Sequence, residues 1–322
     1  MAVYTELTPA DIGPWLPRFF QGERLIRLTP ISGGIENTNY FVDLEGTSGT
    51  RRVVLTVFET LPARALPFFA RLTVKLAHHG LPVPAPFEDQ RGHWVCRMGG
   101  KPAMWLPCLP GQHVTRPNAP QCKALGDFMQ RMHAQTMNVP GEPHPRTLAW
   151  MQDVLDRAVT MPEAQRMDVL QAIRAMGDAM PAIEALPRGV VHGDLFIDNA
   201  LFEGDRLTGV IDFYHAAQAP LLFDVAVALN DWCFRDGDYD DASCTALLSG
   251  YRALEPAEVQ LLASVLRLAA LRFWVSRLDS LYGGGYQHRA KAGETLKDPG
   301  QMAERYHSAS TLTSSRVTAW LS

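Results

Sequence analysis

The first third of the chain alternates short β-like runs with turns and contains one long helical segment. Residues 62–79 carry apolar side chains at spacings of three and four and stop at Gly80, which predicts a helix. A further short helix is predicted within residues 1–22. The β-like runs cover residues 25–31, 40–42, 52–58, 94–98 and 102–106. This pattern predicts a small, mainly antiparallel sheet with one helix.

Helical periodicity dominates the chain after the last of these runs. Residues 107–111 are rich in proline and glycine and predict a connector, with a hinge at about residues 105–111. We therefore predict an N-terminal lobe at residues 1–106 and a C-terminal lobe at residues 107–322. The helices of the second lobe are predicted at residues 122–135, 151–160, 163–180, 221–232, 241–253 and 257–282. The polar tail is predicted to end in a loosely held segment, residues 308–322.

Composition places the chain among soluble globular proteins and excludes some partners. Of its 322 residues, 47% are hydrophobic and 20% are charged, and the formal net charge is −4. This charge balance predicts no basic surface that would bind nucleic acid or an anionic membrane. Arginines interrupt the apolar stretch 259–281, and five cysteines match no zinc or redox spacing. We expect a cytoplasmic protein with reduced thiols, without a secretory signal, that is a monomer or a homodimer.

Residues 190–213 place polar side chains at the ends of short apolar runs. Asp194 follows the first run, and a hairpin through a Gly-Asp turn holds Asn199 near Asp212. The spacing H-x-D-x-x-x-x-N followed by I-D is that of a kinase catalytic loop without its arginine. It suits phosphoryl transfer with Asp194 as base and with Asn199 and Asp212 as magnesium ligands. The alternative is that these side chains only cap turns.

Two further features are candidates for supporting roles. His192 is predicted to brace the catalytic loop by hydrogen bonding rather than to carry a proton in the reaction. The turn Ser32-Gly33-Gly34, set between two strands, would let backbone N–H groups approach the phosphates of a nucleotide. The alternative for this turn is that a tight hairpin needs glycine whatever its function.

The chain closely resembles the aminoglycoside phosphotransferase and choline kinase superfamily and, within it, the homoserine kinases. The resemblance covers nearly the whole chain apart from the end of the tail. Its segments are residues 32–40, 54–59, 109–111, 192–201, 210–214, 222–226, 230–233 and 271–278. The resemblance implies an α+β, bilobal, protein-kinase-like fold and ATP- and Mg²⁺-dependent phosphorylation of the hydroxyl of L-homoserine, a step in threonine synthesis.

The same resemblance implies roles for individual residues. Asp194 would be the base, Asn199 and Asp212 would bind magnesium, and Asp224 would brace the catalytic loop from a helix. The adenine of ATP would lie against the connector, near residues 105–109, which include Leu106 and Leu109.

One position departs from the general kinase pattern. Thr56 stands in the strand where a lysine normally reaches the α- and β-phosphates of the nucleotide. The following helix has no acidic residue to pair with such a lysine. Arg71 or Lys75 could supply the missing charge, and the alternative is that both are solvated surface charges.

A small amino-acid alcohol needs an arginine for its carboxylate and an acidic group for its ammonium. Asp231 and Trp232 on one predicted helix, and Arg272 and Arg277 on a later one, have this chemistry. The alternative is that the arginines cover the core. Related kinases with aminoglycoside, choline, methylthioribose or hydroxylysine acceptors are the nearest rival functions. A pseudokinase that only binds ligands is a rival from another class.

Overall fold

The computed structural model describes residues 4–31, 37–137, 139–283 and 297–322. These residues form two compact units, of which the first ends at Pro110 and the second begins at Gly111. The first unit contains an antiparallel sheet and the second is mainly helical, so the predicted α+β fold is confirmed.

The first unit is built on a five-stranded antiparallel sheet with the strand order β1-β2-β3-β5-β4. The strands are β1 (Arg24–Pro30), β2 (Asn37–Gly46), β3 (Gly49–Phe58), β4 (Val95–Met98) and β5 (Lys101–Pro107). The helices are α1 (Pro9–Ile12), α2 (Leu16–Phe19) and α3 (Leu66–His78), with a 3₁₀ turn at Gly13–Trp15. All five predicted β-like runs correspond to these strands, with residues 31 and 94 one position outside them.

The two faces of this sheet have different partners. Trp105 is fully buried in the core on one face, where the Phe20 ring meets it edge-on at 5.2 Å. Thr56 pairs with Met104, and Leu106 pairs with Val54, in the register of β3 and β5. Since successive side chains of a strand alternate between faces, Thr56 and Leu106 lie together on the face opposite Trp105.

The second unit consists of helices and three two-stranded sheets. Its helices are α4 (Ala119–Thr136), α5 (Leu148–Arg157), α6 (Glu163–Gly177), α7 (Met180–Glu184), α8 (Leu222–Trp232), α9 (Asp241–Gly250), α10 (Pro256–Tyr282), α11 (Gly300–Ser310) and α12 (Ser314–Ala319). Its strands are β6 (Arg188–Val191), β7 (Ala200–Glu203), β8 (Arg206–Val210), β9 (Ala217–Pro220), β10 (Phe234–Arg235) and β11 (Asp238–Tyr239).

Helix α10 is the central helix of this unit. By length and composition alone it could span a membrane, but 56% of its most apolar stretch is buried inside the protein. It packs against α8 and α11 and also contacts α5 and α6. Its hydrophobicity is therefore that of a core helix, and its interior position brings Arg272 to the catalytic loop.

Strands β9, β10 and β11 of the second unit were not predicted from sequence. Strand β9 pairs with β6. The first apolar run of residues 190–213 therefore pairs with β9 and not with the hairpin β7–β8. The β9 sequence Ala-Gln-Ala-Pro has no β-branched or aromatic residue and carries no strand pattern of its own. Its pairing with β6 makes it a strand, and it returns the chain to α8.

The prediction that residues 308–322 are loosely held was wrong. Trp320 is buried, and its ring N–H donates to Asp241 at 2.6 Å. Arg316 binds Asp238 and Asp241 through its guanidinium group. The acidic segment before α9 therefore anchors the C-terminal helix, and this partnership is invisible in the local composition of the tail.

Two glycines allow α4 and α9 to pack with their backbones in close approach. A Cβ atom at Gly126 would overlap the Leu247 carbonyl oxygen, and one at Gly250 would overlap the Lys123 carbonyl oxygen. Backbone atoms cannot move aside as a flexible side chain can, so each helix requires glycine where the other crosses it.

We expect Gly126→Ala to lower the free energy of unfolding by about 1–3 kcal/mol, because the added methyl group forces the two helices apart. Gly177→Ala is the matched control, since a Cβ atom there meets no atom within 4 Å. The control should leave stability unchanged or raise it by up to ~1 kcal/mol. Urea unfolding of both variants measures the difference, and equal stabilities would contradict the close approach.

Candidate active site

The catalytic loop leaves strand β6 at His192 and turns sharply at Gly193. Gly193 has a φ of 80°, and a Cβ atom there would lie 2.6 Å from the His215 carbonyl oxygen. Only glycine fits this backbone conformation and this space. The turn brings Asp194, which is half-buried, to the end of the strand.

Asp224 holds the turn from the first turn of helix α8. One carboxylate oxygen accepts the His192 backbone N–H at 2.7 Å and the other accepts the Gly193 N–H at 2.8 Å. Burial opposes ionisation of this fully buried group, but the hydrogen bond from His133 lowers the pKa of Asp224 below its ordinary value. Asp224 is therefore an anion that fixes the loop backbone, as the resemblance implied.

His192 is buried inside the loop and bonded at both ring nitrogens. Nδ1 accepts the Asp194 backbone N–H at 3.2 Å, and Nε2 lies 2.9 Å from the Ile211 carbonyl oxygen. A carbonyl oxygen can only accept, so Nε2 carries the proton. Burial lowers the pKa of His192, which keeps the ring neutral. The ring thus braces the loop and ties it to the residue before Asp212.

Sequence reasoning missed the partner that approaches Asp224 from helix α4. His133 Nε2 donates to Asp224 at 3.1 Å, and its Nδ1 lies 2.7 Å from the Tyr251 hydroxyl group. The ring of His133 is buried, so the carboxylate has a third donor in an apolar surrounding. A single histidine on an apolar helix face gave no signal for this role, because its partner is 91 positions away in sequence.

Asn199 and Asp212 lie at the same end of the hairpin β7–β8. The Asn199 amide group donates to the Asp194 backbone carbonyl at 2.7 Å and to Asp194 Oδ2 at 3.0 Å. The Ile211 N–H donates to the Asn199 backbone carbonyl oxygen at 2.9 Å. Asp212 directly follows Ile211, so this bond holds Asp212 close to Asn199. Asp212 is in the left-handed region with φ 66°. The hairpin therefore joins the three predicted catalytic and metal-binding residues.

This donor set fits a magnesium ion. The amide nitrogen of Asn199 is engaged with Asp194, so its amide oxygen is the atom that remains for a ligand role. Asp212 adds a carboxylate, and oxygen donors are what Mg²⁺ prefers. The part of the chain that the structure describes contains no cluster of three His, Cys, Asp or Glu residues suited to a metal. Two protein oxygens are nevertheless enough for a cation that also binds phosphates.

Two of the four predicted acceptor residues hold the catalytic loop instead of facing solvent. Arg272 is 2% exposed and donates through Nη2 to the Gly193 carbonyl oxygen at 2.6 Å. Trp232 is 1% exposed and donates through Nε1 to the Leu195 carbonyl oxygen at 3.2 Å. Both side chains act on the loop backbone, which favours a positioning role for each.

The other two predicted acceptor residues lie in a charged cluster beside the loop. Asp231 accepts the Ile197 backbone N–H at 2.8 Å, and burial raises the pKa of its carboxyl group. Arg277 donates to the Asp298 carbonyl oxygen at 2.7 Å. Sequence reasoning missed two cations here: Lys297 pairs with Asp198 at 2.8 Å, and Arg305 lies 3.9 Å from Asp231. The cluster thus combines both signs of charge next to the catalytic loop.

The predicted nucleotide-binding residues of the first unit are only partly described. Residues 32–34 lie outside the described residues. Thr56 is buried and donates to Asn39 at 2.7 Å, Leu106 is buried beside it, and Leu109 is half-buried.

The structure also locates the candidate charges of the first unit. Arg71 and Lys75 are exposed on α3, as the alternative of solvated surface charges predicts. An ion pair that sequence reasoning missed joins Lys101 to Glu59 just beyond β3.

The sequence profile of the phosphotransferase enzyme family matches residues 27–257 of the chain. The homoserine kinase of Cupriavidus taiwanensis is 40% identical over 296 residues, which cover 88% of each chain. The homoserine kinase of Methylobacillus glycogenes is 35% identical and covers 100% of this chain and 99% of its own. The chain belongs to the phosphotransferase enzyme family, among the homoserine kinases. The resemblance stated from sequence is confirmed.

Solved structures show the same fold at low sequence identity. An amicoumacin kinase in complex with AMP-PNP, Ca²⁺ and its antibiotic has a TM-score of 0.66 at 16% identity and covers 90% of this chain and 96% of its own. A spectinomycin phosphotransferase in complex with ADP and spectinomycin has a TM-score of 0.67 at 11% identity and covers 94% and 98%. This homoserine kinase family member therefore has the fold of the antibiotic phosphotransferases.

We expect Asp224→Asn to lower the free energy of unfolding by about 1–3 kcal/mol. An amide offers one accepting oxygen to three buried donors, so at least one donor is left unbonded. Asp168→Asn is the control, because the Asp168 side chain is 45% exposed and meets His307 at 3.3 Å, and it should change stability by less than about 0.5 kcal/mol. Chemical denaturation compares the two variants, and an equally small loss for both would contradict the role of Asp224.

Proposed function

We propose that the protein transfers the γ-phosphoryl group of ATP to the hydroxyl group of L-homoserine, in the cytoplasm, with Asp194 as the base. The observation that carries the proposal is the hydrogen bond from Asn199 to Asp194 Oδ2 within a loop fixed by Asp224. It supports Asp194 as the acceptor-orienting carboxylate of a phosphotransferase. The relatives named homoserine kinase support the choice of acceptor.

Asp194 would orient the attacking hydroxyl group and accept its proton. The Asn199 amide group holds Oδ2, and the backbone N–H of Asp194 is bonded to His192. The first contact restricts rotation of the carboxylate and the second fixes the backbone that carries it, so the hydroxyl group of the acceptor meets a base in one orientation. Positioning of this kind accounts for much of the catalysis in phosphoryl transfer.

Asn199 and Asp212 would hold the magnesium ion. When bound, the ion would neutralise part of the negative charge of the nucleotide phosphates. The nucleotide itself would lie against the sheet face that contains Thr56 and Leu106, near Leu109 in the connector. The solved kinases with ADP or AMP-PNP support a nucleotide in this fold.

The charged cluster beside the loop would bind the two charged ends of homoserine. Asp231 would bind the ammonium group, because its carboxylate is largely withdrawn from water and lies at the C-terminal end of α8. Arg277 would bind the carboxylate, together with Arg305. Arg272 and Trp232 would support the acceptor only indirectly, through the carbonyl groups of the catalytic loop.

A panel of acceptors tests the proposed reaction. ATP turnover should require L-homoserine and should be far slower with an aminoglycoside, choline, methylthioribose or hydroxylysine. A preference for one of these compounds would replace the acceptor but keep the enzyme class. The absence of turnover with every acceptor would favour a pseudokinase.

We expect Asp194→Asn to lower kcat by about a hundredfold or more, since the base is lost while its shape is kept. Nucleotide affinity should be unchanged in this variant. The control is Asp205→Asn in the exposed turn between β7 and β8, where the aspartate bonds Asn118. Steady-state kinetics with L-homoserine and calorimetry with a nucleotide measure both effects. Undiminished turnover in Asp194→Asn would contradict the role of Asp194 as the base.

Asp231→Asn and Trp232→Phe should separate acceptor binding from loop positioning. The first removes the proposed partner of the ammonium group and should raise KM for L-homoserine by about tenfold, since a charge-assisted hydrogen bond is lost. The second removes the donor to the Leu195 carbonyl group and should lower kcat with little change in KM. If both variants change only kcat, the proposed ammonium site is wrong.

A further inference from the structure

The second unit contains a cavity of about 350 Å³ among α5, α7, β9 and α10. Asp194, Asn199 and Asp212 do not line it. Most of the described side chains around it are apolar, and they include Leu148, Met151, Met180, Ile183, Phe223 and Leu268. The cavity is large enough for a small organic molecule and separate from the catalytic residues.

Arg272 lines this cavity, and one of its buried donors lacks a partner. Its Nη2 is bonded to Gly193, and its guanidinium group lies 4.5 Å from the Phe223 ring centroid. No acceptor among the described residues is within hydrogen-bonding distance of its Nε, which is buried. A buried charge with an unsatisfied donor is unfavourable, and negative charge in the neighbouring cavity would offset part of this cost.

The charges around the cavity also favour an anionic ligand. Arg146 and Arg188 line it together with Arg272, against one acidic lining residue, Glu184. Burial, and then the charge of Arg146, lowers the pKa of Arg272 to about 9. Burial, and then Arg272 and Arg146, lowers the pKa of His144 to about 2, so this lining histidine adds no charge near neutral pH. The electrostatic environment therefore disfavours further cations and favours an anion.

We propose that this cavity binds a small carboxylic acid with an apolar body, whose carboxylate contacts Arg272 and Arg146. A guanidinium group matches a carboxylate in shape and charge. The apolar lining suits a hydrocarbon body, whereas inorganic phosphate would leave that lining without a partner. This ligand would be distinct from the acceptor, because Asp194, which the hydroxyl group of the acceptor must reach, does not line the cavity.

Binding at this site would reach the catalytic loop through one side chain. The guanidinium group that would face the carboxylate also holds the Gly193 carbonyl oxygen, one residue before Asp194. A bound anion would balance the charge of that group and stabilise its position. The cavity is thus placed to bind a regulator without occupying the acceptor site.

Calorimetric titration of the full-length protein with 4-methylpentanoate tests the proposal. The titration is done with saturating L-homoserine and a non-hydrolysable ATP analogue, so that both substrate sites are filled. We expect saturable binding at one site, and much weaker binding of the uncharged 4-methylpentanamide and of inorganic phosphate. Binding that appears only when L-homoserine is left out, or equal binding of the amide, would overturn the proposal.

Variants of the cavity wall make the test specific. Arg146→Gln should weaken binding of 4-methylpentanoate by about tenfold, and Arg146→Lys should restore part of the affinity. Ala149→Phe should abolish binding by filling the cavity from its rim. Arg174→Gln removes an exposed arginine on α6 and should have no effect. Unchanged binding in both Arg146→Gln and Ala149→Phe would show that the probe binds elsewhere and would overturn the proposal.

Discussion

The catalytic loop depends on one buried carboxylate, that of Asp224. It accepts the backbone N–H groups of His192 and Gly193, and His133 approaches it as a third donor. A glycine with a positive φ follows from this arrangement, because the chain must turn toward the carboxylate and away from the His215 carbonyl group. Without a fixed turn, the half-buried Asp194 would have no defined orientation. The buried hydrogen-bond network around Asp224 therefore sets the orientation of Asp194.

Further contacts hold the loop at alternate residues. Arg272 binds the carbonyl group of Gly193, Trp232 binds that of Leu195, and Asp231 accepts the N–H of Ile197. These donors and acceptors come from α8 and α10, which are core helices of the second unit. Rigid helices thus position a loop that has little regular structure of its own, as a preorganised site requires. Only Asp231 of these three is also placed in the proposed acceptor site.

The sequence was informative where chemistry and spacing coincide within a short stretch. Residues 190–213 could be interpreted because one hairpin joins Asn199 to Asp212, and the family and fold predicted from such stretches are confirmed. Contacts between distant residues could not be predicted in the same way. The pairing of β9 with β6, the approach of His133 and the anchoring of Trp320 each depend on tertiary neighbours. The roles of Arg272 and Trp232 shifted for the same reason: burial, which composition does not reveal, put them behind the loop.

Two carbonyl groups of the catalytic loop accept hydrogen bonds from different kinds of donor, one neutral and one charged. This difference supports an anion in the cavity that Arg272 lines. The neutral indole of Trp232 serves Leu195, so a carbonyl group in this loop does not require a charged partner. The carbonyl group of Gly193 nevertheless accepts from the buried guanidinium group of Arg272. The Nε donor of that group has no acceptor within the described residues. Burying a charge is unfavourable unless an anion or hydrogen bonds compensate for it. A carboxylate in the cavity would supply the negative charge, which gives the charge of Arg272 a use beyond holding one carbonyl group.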